Sequence, residues 1–399
     1  MFETLNTIDW PHVESCYGTS EEIPAAIRGL VSAEASVRDR ARETLWMSLE
    51  HQGSVYEASA LAIPFLLTIL ADPQTQDKGQ LVHFLAHLGC RGLYLGHWYE
   101  DLQTRLVLQS LKEDEPYFSQ DATDRYRRWE DDTHQGFREG LHIFLLLLSD
   151  PDPAIREEVA FLLATFPEDR SRLLPPLITQ LQTETNEQVQ CSLLLCLGYL
   201  LTPTPDASQL LLHYLEEGET KLLQFTAARA LCTLLKAQTP EKVVQVLFEV
   251  LTHPHPLQPS YEHLSPLWGS GWIHAKALYY LDQLTSSPYQ MLMLERLIEL
   301  FPTLDEHVDL DCADLLVRVA FYEKQFRLQP HITFTDLDPM QQSVLRTLAA
   351  KETPWIGDYP RWDIHFQTQV HTPPAVGAVV CVGLPATRHG LQAFMATGQ

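Results

Sequence analysis

Basic residues are scarce in this 399-residue chain: 28 Lys and Arg stand against 52 Asp and Glu, a formal charge of −24. Coating DNA or an anionic membrane needs a concentrated cationic face, so this balance disfavours both and leaves room only for a local basic patch. Long apolar runs are missing as well. The longest aliphatic stretch, Ile143 to Leu148, is far short of the ~20 residues that span a bilayer. The opening MFETLNTIDW has neither a basic n-region nor an apolar h-region, so no signal peptide is expected. A soluble, cytoplasmic protein follows as the expectation. None of the seven cysteines (Cys16, Cys90, Cys191, Cys196, Cys232, Cys312, Cys381) forms a CxxC pair, and their odd number and mostly apolar settings predict buried free thiols. With 45% hydrophobic and 20% charged residues the chain is globular in composition, long enough for two or three domains or one repeat array.

Repetition stands where catalytic motifs are absent. The clearest unit begins at Asp150-Pro-Asp-Pro-Ala-Ile155-Arg156 and runs into Val159, Ala160 and Leu163. A step of 34 residues carries Ile155, Arg156, Ala160 and Leu163 onto Val189, Gln190, Leu194 and Leu197, and a second step reaches Leu223, Gln224, Ala228 and Leu231. Stepping back by 118 superposes Glu34, Val37, Arg38, Ala41 and Leu45 on Asp152, Ile155, Arg156, Val159 and Leu163. A second amphipathic signature, seen at Pro24-x-x-Ile27-x-x-Leu30, Pro64-x-x-Leu67-x-x-Leu70 and Pro175-x-x-Ile178-x-x-Leu181, accompanies it. Proline is tolerated in a helix's first turn, and the apolar spacing makes one buried stripe, so each unit reads as helix, tight turn, helix.

The pattern Asp-x-Asp-x-x-Ile-Arg-x-x-Val/Ala-x-x-x-Leu resembles the HEAT repeat, a helical hairpin stacked into a solenoid, over most of residues 20–322. The likeness departs where Asp152 and Arg156 become Asn186 and Gln190, then Thr220 and Gln224. It implies an all-α fold, a right-handed α-solenoid of about seven HEAT-like hairpins with a C-terminal cap. The hairpins fall near 23–49, 62–89, 139–166, 173–200, 207–235, 241–285 and 289–322, after a capping helix over Phe2 to Gly18. The expected organisation is residues 1–89 with the capping helix and first hairpins, a 90–138 insertion, hairpins again over 139–329, and a cap over 330–399 that buries Val379, Val380, Val382, Leu391 and Phe394. A second insertion, 252–270, falls inside the sixth hairpin. Connections within and between hairpins emerge on opposite edges, so residues 51–59 share an edge with the first insertion and not with the second.

No constellation here carries a reaction. His83 and His87 lie four apart on a helical segment and lack the third ligand that zinc needs, with His97 and Asp101 unfixed nearby. Asp305, Asp309, Asp311 and Asp314 lack the spacing and glycine of a calcium loop and read as caps on a solvated acidic face. No HExxH, GxSxG or phosphate loop is present, so no catalytic residue, metal or cofactor is expected. His253, His255, Tyr261, His263, Trp268 and Trp272 make the second insertion aromatic and polar at once, a proline-stiffened loop packed on the array or, as its alternative, a functional loop. In the first, Tyr126-Arg-Arg-Trp129 concentrates cations beside aromatics, although residues 110–135 hold four basic against eight acidic residues. Asp121, Asp124, Glu130 and Asp131 are placed to neutralise those arginines along a helix.

Two functions compete. The first is a noncatalytic scaffold that binds a protein partner through its concave surface and its insertion-bearing edge, with His51, Tyr56, Trp98, Tyr99, Arg127 and Trp129 as the candidate partner-binding residues. A core role for Trp98 and Trp129 is the alternative to their role at that edge. The second function is an enzyme, because the resemblance extends to DNA-alkylation glycosylases and bilin lyases. Nucleic acid is the disfavoured partner on charge, and a lyase has no residue-level support.

Overall fold

The computed structural model describes residues 2–51, 54–90, 120–269, 271–284, 288–305, 308–322, 332–353, 355–356, 359–360, 384–385 and 387–397. The chain divides into two compact units: Met1–Thr202 with His263–Ser270, and Pro203–Glu262 with Gly271–Gln399. The fold is an all-α solenoid. Among the described residues, strands are confined to three two-residue pairs.

In the first unit, helices α1 (Ile23–Gly29) and α2 (Ala35–Leu49) form one hairpin, and α3 (Glu57–Ala71) and α4 (Lys78–Leu88) the next. Helix α5 (Gln120–Glu139) packs on α3 and is followed by the hairpins α6 (Leu141–Leu147) with α7 (Pro153–Leu163) and α8 (Arg170–Thr183) with α9 (Glu187–Leu200). Helix α5 approaches closely because Gly140, just past its end, has no Cβ. A Cβ there would stand 2.5 Å from the Leu67 side chain of α3.

Two local expectations are corrected. Phe2 to Gly18 does not form a capping helix: it makes 3-10 turns at Thr4–Thr7 and Trp10–His12, then pairs Glu14–Ser15 with Gly18–Thr19. Trp10 is buried and its indole N–H donates to the Leu5 carbonyl at 2.9 Å, closing the segment on itself in place of a helical ladder. Pro64 and Pro175 lie inside α3 and α8, not in their first turns, because each helix begins a turn or more upstream. At the start of α3, Ser59 Oγ accepts the Tyr56 N–H at 2.9 Å, a cap that sets this earlier start.

The repeat register holds in side-chain detail. Leu163, Leu197 and Leu231 are all fully buried. Asp152, Asn186 and Thr220 each cap a second helix, accepting from the N–H of Ala154, Val189 and Leu223. One further bond recurs: Arg38, Arg156, Gln190 and Gln224 each donate to the carbonyl six residues upstream, on Ser32, Asp150, Glu184 and Gly218. The Arg-to-Gln change therefore keeps the turn-closing bond and loses the charge with the carboxylate pairing it supports in Arg38 and Arg156.

The second unit pairs α10 (Pro205–Glu217) with α11 (Lys221–Leu235), α12 (Glu241–Thr252) with α14 (Ile273–Asp282), and α15 (Gln290–Leu300) with α16 (Asp309–Val317). A short helix, α13 (Gln258–Glu262), precedes the rest of the second insertion. Arg229 of α11 is fully buried, its guanidinium lying over the rings of Phe225 and Tyr280. Asp309 is fully buried as well, which corrects the solvated acidic face at that residue alone, since Asp305 and Asp311 are exposed: it accepts from Thr353 and lies 3.4 Å from Lys351 Nζ. Helices α17 (Pro339–Ala350) and α18 (Arg388–Thr397) pack together with Leu391 and Phe394 buried, while Val379, Val380 and Val382 lie outside the described residues. Cys90, Cys191, Cys196, Cys232 and Cys312 are buried and Cys16 is half-buried, with no disulfide among these described cysteines.

Candidate functional site

The edge foreseen from topology can be followed for four of its six residues, since Trp98 and Tyr99 lie outside the described ones. His51 is exposed in the short pairing of Glu50–His51 with Ser54–Val55, and its Nδ1 lies 3.4 Å from the Tyr17 hydroxyl. Tyr56 is half-buried. Burial, and then a hydrogen bond to Cys16, push its phenol upward from the ordinary tyrosine range. Trp129 of α5 is only 8% exposed and sits with its ring centroid 6.2 Å from Tyr56 and 5.1 Å from Tyr126. Arg127 is exposed, 3.9 Å from Asp124, and Arg125 crosses to Glu14 at 3.1 Å.

Trp129 and Tyr56 thus support the edge from beneath. What faces solvent is Tyr17 (65% exposed), His51, Tyr126 (43% exposed) and Arg127. Tyr17 and Tyr126 are not among the candidates read from sequence. A usable signal exists for Tyr126, which stands three residues before Trp129 and so beside it on the same helix.

A second feature lies on the second helices of the first three hairpins. A groove of about 530 Å³ has Trp46 and Met47 of α2 along one side, with His83 and Phe84 of α4 beside them. Ala154 and Glu158 of α7 line it too, along with Arg42 and Glu43. Trp46 anchors the aromatic surface, its ring centroid 5.3 Å from Phe84, 6.0 Å from His83 and 5.0 Å from His87. Met47 is 51% exposed, an uncovered apolar side chain at the groove's side.

The stretch that holds these helical hairpins, residues 141–232, matches HEAT repeats. This segment is built of HEAT repeats. No curated protein matches the sequence. Among solved structures, the chain is similar to the complex of CpcE and CpcF of phycocyanin lyase from Nostoc sp. PCC7120, at 16% identity over 82% of this chain and 94% of that one, with a TM-score of 0.40. It is also similar to an engineered protein (15% identity, 66% and 97% of the chains, TM-score 0.37) and to Kap121p (14% identity, 95% and 40%, TM-score 0.39).

In these HEAT hairpins the groove's far wall is joined to the second insertion. Glu158 Oε1 lies 3.0 Å from His83 Nδ1 and accepts from Ser265 Oγ at 3.0 Å, while the Ser265 N–H donates to Glu157 Oε1 at 2.5 Å. Three residues on, Trp268 is buried against Phe161 and Tyr199 and donates from Nε1 to Ser192 Oγ at 2.5 Å. Residues 263–269 therefore lie on the second helices of the third and fourth hairpins.

The electrostatics follow from burial and pairing. The bond to Glu158 raises the pKa of His83 against its partial burial, whereas burial and the nearby His83 lower His87 to about 4. Burial lifts Glu157 to about 7, against the pull of the Ser265 N–H and with a further push from Glu158. The two histidines thus meet as a ring pair, centroids 4.7 Å apart, with one nitrogen of His83 already engaged by a carboxylate. Among the described residues, no group of three or more His, Cys, Asp or Glu is placed to hold a metal ion, and no helix is long and apolar enough to cross a membrane.

Proposed function

We propose that the protein is a noncatalytic interaction scaffold that holds a protein partner on the second-helix groove and on the edge formed by Tyr17, His51, Tyr126 and Arg127. The groove carries this reading: Trp46, Met47 and Phe84 line a depression on the surface of a stacked helical array. Exposed apolar surface of this kind marks interaction sites, and aromatic anchors with a neighbouring Arg are the side chains enriched at binding hot spots. Trp98 and Tyr99 belong to the same proposed edge by their place in the first insertion. A glycosylase-like reading calls for a cationic cleft. The groove's arginine, Arg42, is already held by Asp39 and Asp77.

Capture of partners from the native cell extract, followed by affinity measurement with the purified partner, tests the reading. Met47→Gln at the groove and a paired Tyr126→Ala, Arg127→Ala change at the edge are each expected to weaken binding about tenfold or more, about 1.4 kcal/mol, with the melting temperature unchanged. A partner that binds all these variants as it binds the wild type overturns both surfaces.

A further inference from the structure

The charges around the groove point to the chemistry of what it holds. Arg42 pairs with Asp39 and lies 3.1 Å from Asp77, which also accepts from Arg38 Nε at 2.6 Å, so both guanidinium charges are met within the repeat. Glu43, exposed on the turn of α2 that carries Trp46, forms no ion pair among the described residues. On the opposite wall Glu158 shares Oε1 between His83 and Ser265, and its Oε2 has no hydrogen-bond partner among the described residues. Glu158 is thus met by His83 and its free Oε2 is buried, so the aromatic and aliphatic surface lies beside one exposed carboxylate, Glu43, whose charge the array's own arginines do not meet.

We infer that the groove receives a cationic segment of a protein partner, one that sets an Arg or Lys beside a large apolar side chain. The inference rests on the scaffold reading and adds the chemistry of the partner. The apolar side chain would cover Met47, and the cation would lie on the Trp46 ring within reach of Glu43. A guanidinium suits that place better than an ammonium, because its plane stacks on indole while its N–H fork reaches a carboxylate. A wholly apolar segment would take Glu43 out of water with nothing to pair it, and an acidic one would add repulsion. The chain's net charge of −24 steers a basic segment toward the surface and repels nucleic acid.

The test uses the full chain and three synthetic amphipathic peptides that share one apolar face and carry Arg, Gln or Glu at every polar position. Titration calorimetry at low and high salt is expected to rank them Arg over Gln over Glu, with Arg about tenfold or more above Glu at low salt and the gap narrowing as salt rises. Glu43→Lys, a change on an exposed position, is expected to reverse the order, and Met47→Gln to weaken all three. Equal binding of the three peptides, lost in Met47→Gln, overturns the cationic preference while leaving the groove as a docking site. An order that Glu43→Lys leaves untouched overturns it as well, as does absence of binding by every peptide. Self-association of the chain that Met47→Gln abolishes overturns it in favour of a second copy as the occupant. The scaffold reading itself fails separately, when a captured partner ignores Met47→Gln and the edge variants alike.

Discussion

Arg156 closes on Glu184 through two parallel hydrogen bonds of 2.8 Å, from Nε to Oε2 and from Nη2 to Oε1, and so ties the second helix of one hairpin to the turn of the next. The Glu184 side chain is 2% exposed. Burial alone would raise its pKa, but Arg156, the Asn186 N–H and Gln180 overcome that and hold it at about 2. Arg156→Ala removes the cation and leaves the carboxylate buried. Breaking such a pair is expected to cost about 3–5 kcal/mol, read as a lower denaturant midpoint. The sign with pH follows: a depressed carboxylate contributes stability above its unfolded pKa near 4.5 and loses it as pH falls toward about 2, so the variant should lose part of the wild type's acid sensitivity in that window.

Arg156→Gln separates the two roles of that side chain. Gln190 and Gln224 already make the bond to the carbonyl six residues upstream. A glutamine at 156 is therefore expected to retain the turn bond and to be more stable than Arg156→Ala by about 0.5–1.5 kcal/mol, the usual net worth of one hydrogen bond. Equal melting of the two variants would show that the turn bond contributes nothing.

The array is legible in sequence because its core obeys a local period. Leu163, Leu197 and Leu231 recur at the spacing of one hairpin and are buried alike, so each predicts the next. Helix starts are less legible, as Pro64 shows: it is read as a first-turn residue and sits a full two turns into α3, where the Ser59 cap decides the boundary. The groove is not legible at all. Trp46, Phe84 and Glu158 come from three hairpins, and no period states which side chains of adjacent helices converge. His83 reads with its neighbour His87 as a helical histidine pair short of a third metal ligand, while the group that engages it, Glu158, is 75 residues away.

Trp129 and Tyr126 should respond to truncation in opposite ways. Trp129 is buried between Tyr56 and the rest of α5, so Trp129→Ala is expected to cost about 3–5 kcal/mol of stability, the ordinary result for a core tryptophan. Tyr126 is 43% exposed, and Tyr126→Ala should change the melting temperature little while weakening partner capture. A stable Trp129→Ala protein would place that ring outside the core.

Glu157 gives the molecule a distinctive dependence on pH. Its carboxyl is shifted from 4.5 to about 7 in the folded state, so the native protein binds a proton that the unfolded chain has released. Stability from this group is therefore fully present below about 4.5 and is lost as pH rises through about 7, the opposite of Glu184. His87, lowered to about 4, works against it between about 4 and 6.5, which would mask the effect in the wild type alone. Glu157→Gln isolates it, since the amide oxygen can still accept from the Ser265 N–H and carries no charge at any pH. The variant is expected to match the wild type near pH 4.5 and to become the more stable of the two by about 3 kcal/mol by pH 8, on the scale of about 1.4 kcal/mol per pKa unit. Parallel melting curves for the two proteins from pH 4.5 to 8 would mean that Glu157 is ionised throughout and that the Ser265 N–H, not burial, governs it.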